Sequence, residues 1–276
     1  MQDSLDFQTA LGQRLVGLGQ ITLDHPVNVE AHHMKTYSRK AMQHAFMSQE
    51  DRDGKAIRTF YPQDQTSKKP LIALAASSGT TVSQGTHRLA TLTRTIRGRD
   101  FLLGADKEWY CGQLIQELHA QYGIAVLTPV KASPQRLEEF DAVPLEQYDK
   151  TVWGNVAAVY TTMTHFDGPL RMLLKKRRDG TYLALITPAR DMTADTAMPT
   201  YTKRWRMENC FAENAFLGVN HLPSLHLNAI QTMLSLRLLA FHVMENFRHD
   251  LGPAYQPKTP ELIHRECIDG VQGRVQ

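Results

Sequence analysis

Apolar and polar positions fall into blocks along the chain, and the period of each block separates strands from helices. Residues 101–105, Phe-Leu-Leu-Gly-Ala, form an uninterrupted apolar run of the kind a fully buried parallel strand shows, and the run ends in Asp106. Residues 124–128, Ile-Ala-Val-Leu-Thr, repeat it. Between the two, Leu114, Ile115 and Leu118 give one face of a helix closed by Tyr122-Gly123. Upstream, Thr80 and Thr81 are candidate caps for a helix through Leu89, Leu92 and Ile96, stopped at Arg97-Gly98-Arg99. The first strand is expected at residues 20–25, Gln-Ile-Thr-Leu-Asp-His, closed by Pro26. Residues 27–55, rich in His, Lys, Met and Gln, read as a long loop. Two short strands at 56–61 and 71–76 form a hairpin around the polar turn 64–69, and residues 1–18 read as a helical lead-in. Strand, hairpin, helix, strand, helix, strand predicts an α/β sheet with helices on its faces.

The character changes at 131–199. Residues 170–174 and 181–187 are strand-like and flank Lys175, Lys176, Arg177 and Arg178, with Asp179-Gly180 as the hairpin signal. Residues 152–162 supply a third strand, so this stretch is an inserted, largely antiparallel β region. Residues 225–247, apolar nearly all round, predict a helix in the middle of the structure, and the tail beyond Gly252 is polar.

Composition narrows the class without fixing it. A chain of 276 residues with 42% hydrophobic content can build a sizeable core. A net charge of +3 permits contact with a polyanion without demanding it. Cys111, Cys210 and Cys267 are far apart and in no metal-like spacing, which suggests a reducing, cytoplasmic compartment and no zinc site. The N-terminus lacks the pattern of a secretory signal. Asn228, Gln231, Arg237, His242 and Glu245 make the longest apolar stretch too polar for a membrane span.

The chemistry concentrates around Tyr201-Thr-Lys203-Arg204-Trp-Arg206-Met-Glu208. At 100° per residue, Tyr201, Arg204 and Glu208 fall within about 60° of one another, among apolar neighbours. A carboxylate there needs a partner, so Glu208 either pairs with Arg204 one turn earlier or reaches toward a cation. Asp24 and Asp106 also end apolar strands, although an acid in that place commonly just caps a turn.

Tyr201-x-x-Arg204-x-x-x-Glu208 resembles the hallmark helix of insertion-sequence transposases of DDE type, whose catalytic domain has an RNase H-like fold. Leu-Gly-Ala-Asp106-Lys-Glu-Trp-Tyr110 resembles the strand of the second acid, and Ile-Thr-Leu-Asp24-His25 points to the first. Asn220-His-Leu-Pro-Ser224 and Asn228 also resemble the family, and the likeness spans about residues 19–248. The chain departs from the pattern at Ala215, where Lys is usual, and at Glu108, where Gly is usual. Some twenty residues precede the first strand where the family carries an N-terminal DNA-binding domain, so the sequence looks like the catalytic half alone.

The resemblance implies an RNase H-like mixed sheet flanked by helices. Residues 1–18 are the lead-in, 19–130 the first part of the core, 131–199 the inserted β subdomain, 200–250 the core helices and 251–276 the tail. It implies Mg²⁺-dependent (or Mn²⁺-dependent) DNA cleavage and strand transfer at insertion-element ends. Asp24, Asp106 and Glu208 would hold two ions, Asp24 bridging both. Expected DNA contacts are Tyr201, Arg204, Lys203, Arg206, His25 and the basic hairpin at Lys175, Lys176, Arg177 and Arg178, while Trp153 is a strand Trp able to pack or to stack on a base. His32 and His33 read as solvated loop residues. The partners implied are double-stranded DNA, as element ends and target near the nucleoid, and a second copy in a synaptic complex, with no membrane. The alternatives are a truncated, inactive transposase remnant, and an RNase H-like nuclease unrelated to transposition.

Overall fold

The computed structural model describes residues 1–35, 44–47, 52–204, 224 and 226–268. In chain order its elements are α1 (Gln2–Gly17), β1 (Val27–Lys35), β2 (His44–Met47), β3 (Arg52–Asp64), β4 (Leu74–Ala76), α2 (Val82–Arg97), β5 (Phe101–Gly104), α3 (Gly112–Tyr122), β6 (Ile124–Pro129), α4 (Pro134–Asp141), β7 (Tyr148–Thr151), β8 (Gly154–Thr161), β9 (Leu170–Lys176), β10 (Tyr182–Thr187), α5 (Ala194–Arg204), α6 (Leu227–Asp250) and α7 (Pro260–Ile263). The described strands form one ten-stranded sheet in the order β2-β3-β1-β5-β6-β10-β9-β8-β7, with β4 paired on β3. Its middle is parallel, β1 with β5 and β5 with β6, and β3 runs antiparallel on the other side of β1. The inserted β region continues this sheet, because Leu185 and Ile186 of β10 pair antiparallel with Pro129 and Thr128 of β6.

Two stretches differ from the expectation. Residues 20–25 are not a strand. The Gln20 amide closes α1 on the Leu15 carbonyl, and the carbonyls of Leu23 and His25 accept from the Arg97 guanidinium, so no ladder is available to them. Residues 27–35, expected in a loop, are the central strand β1, and β2 and the start of β3 also lie in that span. In β1, Val27, Val29 and Ala31 alternate with Asn28, Glu30 and His32, which is strand periodicity with a polar second face.

Each face of the sheet carries its own core. On the first face Val27, Val29, Phe60, Leu103 and Val126 pack with Leu5 and Leu15 of α1, Leu89 of α2, and Leu114, Ile115 and Leu118 of α3. Helix α2 starts in a Thr81–Gln84 capping box and ends at left-handed Gly98, as its sequence predicts. Gly85 lets it approach the sheet, since a Cβ there would fall 2.2 Å from the Phe60 ring. The second face holds two separate clusters. Met34, Ile57 and Tyr61 pack under Ile230 and Leu234 of α6, and Leu127, Leu173 and Leu185 pack under Ala197 and Met198 of α5. Helix α6 is long and apolar enough to cross a membrane by length and composition. It does not lie in the middle of the structure: Ile230, Leu234, Leu238 and Phe241 are buried, while Leu236 and Val243 are more than half exposed.

The outer side of the β4 segment is closed by two buried glutamines. Gln8 of α1 accepts from the Ala73 amide at 2.7 Å and donates to the Ala73 carbonyl at 3.1 Å. Gln231 of α6 accepts from the Ala75 amide at 2.8 Å and donates to the same Ala73 carbonyl at 2.7 Å. The side-chain amides thus stand in for a further strand and satisfy backbone groups that burial would otherwise orphan. Gln231→Leu leaves the Ala75 amide buried and unpaired, so urea denaturation is expected to show a loss of about 2 kcal/mol.

His242 of α6 is 2% exposed and its Nε2–H donates to the Pro70 carbonyl at 3.1 Å. Burial, reinforced by Lys69, lowers its pKa to about 4, against the opposing pull of the Pro70 carbonyl. Because the folded pKa lies below the unfolded value of 6.5, the unfolded chain takes up the proton first. Stability present above pH 6.5 is therefore lost as pH falls toward 4. Between pH 7 and 4.5 this group should remove about 2 kcal/mol. Urea titrations at the two pH values should show a smaller loss in His242→Leu.

Candidate functional site

Register sets two acids level with each other. Val27 and Asn28 of β1 pair with Leu103 and Gly104 of β5. Glu30 stands two residues beyond Asn28, and Asp106 two residues beyond Gly104, so the two acids follow the register to the same level past the end of β5, and alternation turns Glu30 to the second face. Helix α5 covers this point closely: a Cβ on Gly104 would lie 2.8 Å from Asn28 Oδ1 and 3.9 Å from Thr200 Cγ2. Buried Gln65 fastens the helix to the sheet. Its Nε2 donates to Asn28 Oδ1 at 3.1 Å and to the Thr200 carbonyl at 2.8 Å. One turn later Arg204 Nη1 donates to Glu30 Oε2 at 2.7 Å, and the Arg204 guanidinium lies 5.7 Å from the centre of the Tyr201 ring.

Asp106 caps the single 3₁₀ turn Lys107–Trp109. Its Oδ1 accepts from the Glu108 amide at 2.8 Å, and its carbonyl accepts from Thr128 Oγ1 of β6 at 2.7 Å. His32 lies on the Glu30 face of β1, and its pKa is lowered first by burial, then by His33 and Lys35. His33 turns to the opposite face. Burial and Arg58 lower its pKa while Glu108 opposes them. Neither is a loop residue, contrary to the sequence expectation.

Asp24 is not brought to Asp106. It is 71% exposed and paired at 2.7 Å with Arg99, just before β5, whereas Asp106 follows the end of that strand. A four-residue strand, about 13 Å long, lies between the two places. His25 stays beside Asp24, its carbonyl held by Arg97. Glu30 lies on β1, in a segment whose histidines make it read as a loop. The available signal was an acid on the polar side of an alternating Val-Asn-Val-Glu-Ala run.

Of the expected DNA contacts, Lys176, Arg177 and Arg178 are exposed at the β9–β10 hairpin, with Lys175 half-buried. Asp179 Oδ1 accepts from the Thr181 amide and hydroxyl, and Gly180 takes φ +83°, so the turn forms as its sequence predicts. Trp153 packs against the α5 cluster. Lys203 is exposed on α5, and Arg206, Glu208 and Ala215 lie outside the described residues. Among the described residues no three His, Cys, Asp or Glu side chains converge to hold a metal.

Residues 29–242 match the family model described as the transposase DDE domain. The match includes Glu30, Asp106 and Glu208 and begins after Asp24. No curated protein matches the chain in sequence. Among solved structures, the chain is similar to the piggyBac transposase in a cryo-EM synaptic complex with hairpin DNA, at a TM-score of 0.53 and 13% identity. The similarity covers 89% of this chain and 52% of that one, so the chain spans about half the length of that protein. With the sheet order described above, the fold is RNase H-like.

Proposed function

Because the chain belongs to the transposase DDE-domain family, we propose that it cleaves double-stranded DNA at the ends of an insertion element and joins the freed ends to a target. Glu30, Asp106 and Glu208 are the carboxylates we assign to the reaction, with Glu30 in the place expected of Asp24. The observation that supports this reading is the register of β1 with β5, in which Glu30 and Asp106 each follow a paired residue, Asn28 and Gly104, by two, while Arg204 of α5 reaches Glu30. Glu208 follows Arg204 by four residues, the spacing of one helical turn.

Carboxylates on neighbouring strands supply hard oxygen donors, which suit Mg²⁺ or Mn²⁺. Two such ions, when bound, would stabilise the attacking and leaving oxygens of an in-line displacement at phosphorus. The chain's own groups orient the acids. The Glu108 amide sets the carboxylate of Asp106, and Arg204 sets that of Glu30. Lys203, Arg206 and the exposed Lys176, Arg177 and Arg178 are the proposed backbone contacts, which neutralise phosphate and make binding salt-dependent. Joining two ends calls for two copies of the chain in one complex.

Nicking of supercoiled plasmid in Mn²⁺, and cleavage of the inverted repeats flanking the gene in Mg²⁺, test the assignment. Glu30→Gln, Asp106→Asn and Glu208→Gln should each lower the rate by roughly 10³-fold or more. Asp24→Asn should cut like the original chain, since an exposed ion pair contributes under about 1 kcal/mol. A Glu30→Gln variant that cuts normally, or an inactive Asp24→Asn variant that remains folded, would overturn it.

A further inference from the structure

We infer that Arg58 is a positioning residue for Asp106, acting through Glu108. The inference rests on the reading of Asp106 as a metal-holding carboxylate. The turn Lys107–Trp109 is tethered at both of its ends. Trp109 is 1% exposed and its Nε1–H donates to Thr86 Oγ1 of α2 at 2.9 Å, while the Asp106 carbonyl is held by Thr128. Between them, the Glu108 amide donates to Asp106 Oδ1, and Glu108 Oε2 accepts from Arg58 Nη2 at 2.5 Å. Asp106 Oδ2 has no hydrogen-bond partner among the described residues and is the oxygen left for a ligand.

Arg58 is itself held from three directions. Its Nη1 donates to the Thr80 carbonyl at 3.1 Å, its guanidinium lies 5.5 Å from the centre of the Phe60 ring, and its backbone is fixed in β3 between His33 and Ala76. A guanidinium fixed in this way offers Glu108 a rigid fork with little freedom left to lose. The rotation of the Glu108 amide, and with it the direction of the Asp106 carboxylate, is thus referred to β3, the strand paired with the one that carries Glu30. Arg58 also neutralises an acid two residues from Asp106 that would otherwise compete for a cation. Glu108 is 54% exposed, so the ion pair adds little to stability, and its effect on geometry can be separated from any effect on folding.

The test is Mn²⁺ affinity, read on the full chain from the electron paramagnetic resonance signal of free Mn²⁺, with thermal unfolding alongside. Arg58→Met and Glu108→Gln should each weaken Mn²⁺ about 10-fold, as loss of an orienting partner does elsewhere, with the unfolding temperature nearly unchanged in the exposed Glu108→Gln variant. The double variant should be no weaker than either single one, and the exchanged pair Arg58→Glu with Glu108→Arg should recover part of the loss. Unchanged Mn²⁺ affinity in Arg58→Met, or additive losses in the double variant, would sink the inference. The reading beneath it is checked separately: if Asp106→Asn binds Mn²⁺ as well as the original chain, the metal site itself is misassigned. If Asp106→Asn fails to bind and Arg58→Met binds normally, only the positioning role falls.

Discussion

A single buried cation fixes how the chain enters the sheet. Arg97, at the end of α2, is wholly buried and lies 3.7 Å from the equally buried Asp64 at the end of β3. Its guanidinium holds the carbonyls of Leu23 and His25 and stacks 5.4 Å from the Phe101 ring at the start of β5. Four segments meet there. Burial pushes the Arg97 pKa down and Asp64 pushes it back up, so the buried guanidinium keeps its counter-charge beside it. The contact also sets where β1 begins, and hence the pairing of Val27 with Leu103. A slip of one residue would turn every β1 side chain to the other face, so Glu30 depends on a cation at the far end of the strands.

The second face of the sheet explains why the site sits where it does. One apolar cluster fills the space under α6 and another the space under α5, and between them runs the polar strip of β1, Asn28, Glu30 and His32. A continuous apolar face would have packed better. The interruption leaves a place where Gln65, Arg204 and Glu30 meet in hydrogen bonds, and two of the three acids assigned to the reaction border it.

How much of this could be read from the residues depends on what each strand faces. Strands β5 and β6 are buried on both sides and announce themselves as unbroken apolar runs, while α2 carries both of its caps in the sequence and α3 its closing Gly123. The place of Asp106 just past β5 was legible because it directly follows such a run, and that of Arg204 beside Tyr201 because the two share a helical face. Strand β1 was not legible, because its second face is written in polar residues, and the histidines and glutamate look like a solvated loop. Residues 20–25 misled for the opposite reason. Ile21 and Leu23 supply strand-like apolarity, but Arg97 takes the carbonyls that a neighbouring strand would need. Helix α6 read as central because composition does not say which side of an apolar helix finds a partner.

The glutamine closure of the β4 segment has a consequence for the order in which the molecule can be completed. Gln8 belongs to α1 and Gln231 to a helix made some 220 residues later, and both donate to the same Ala73 carbonyl. During synthesis from the N-terminus, α1 and β4 can meet early, but the Ala75 amide has no side-chain acceptor until α6 has left the ribosome. Until then the hairpin of β3 and β4 presents an open edge to any other extended chain. Helix α6 therefore acts as a latch on the nascent chain, and the interval before it emerges leaves the β4 edge exposed to pairing with the wrong strand.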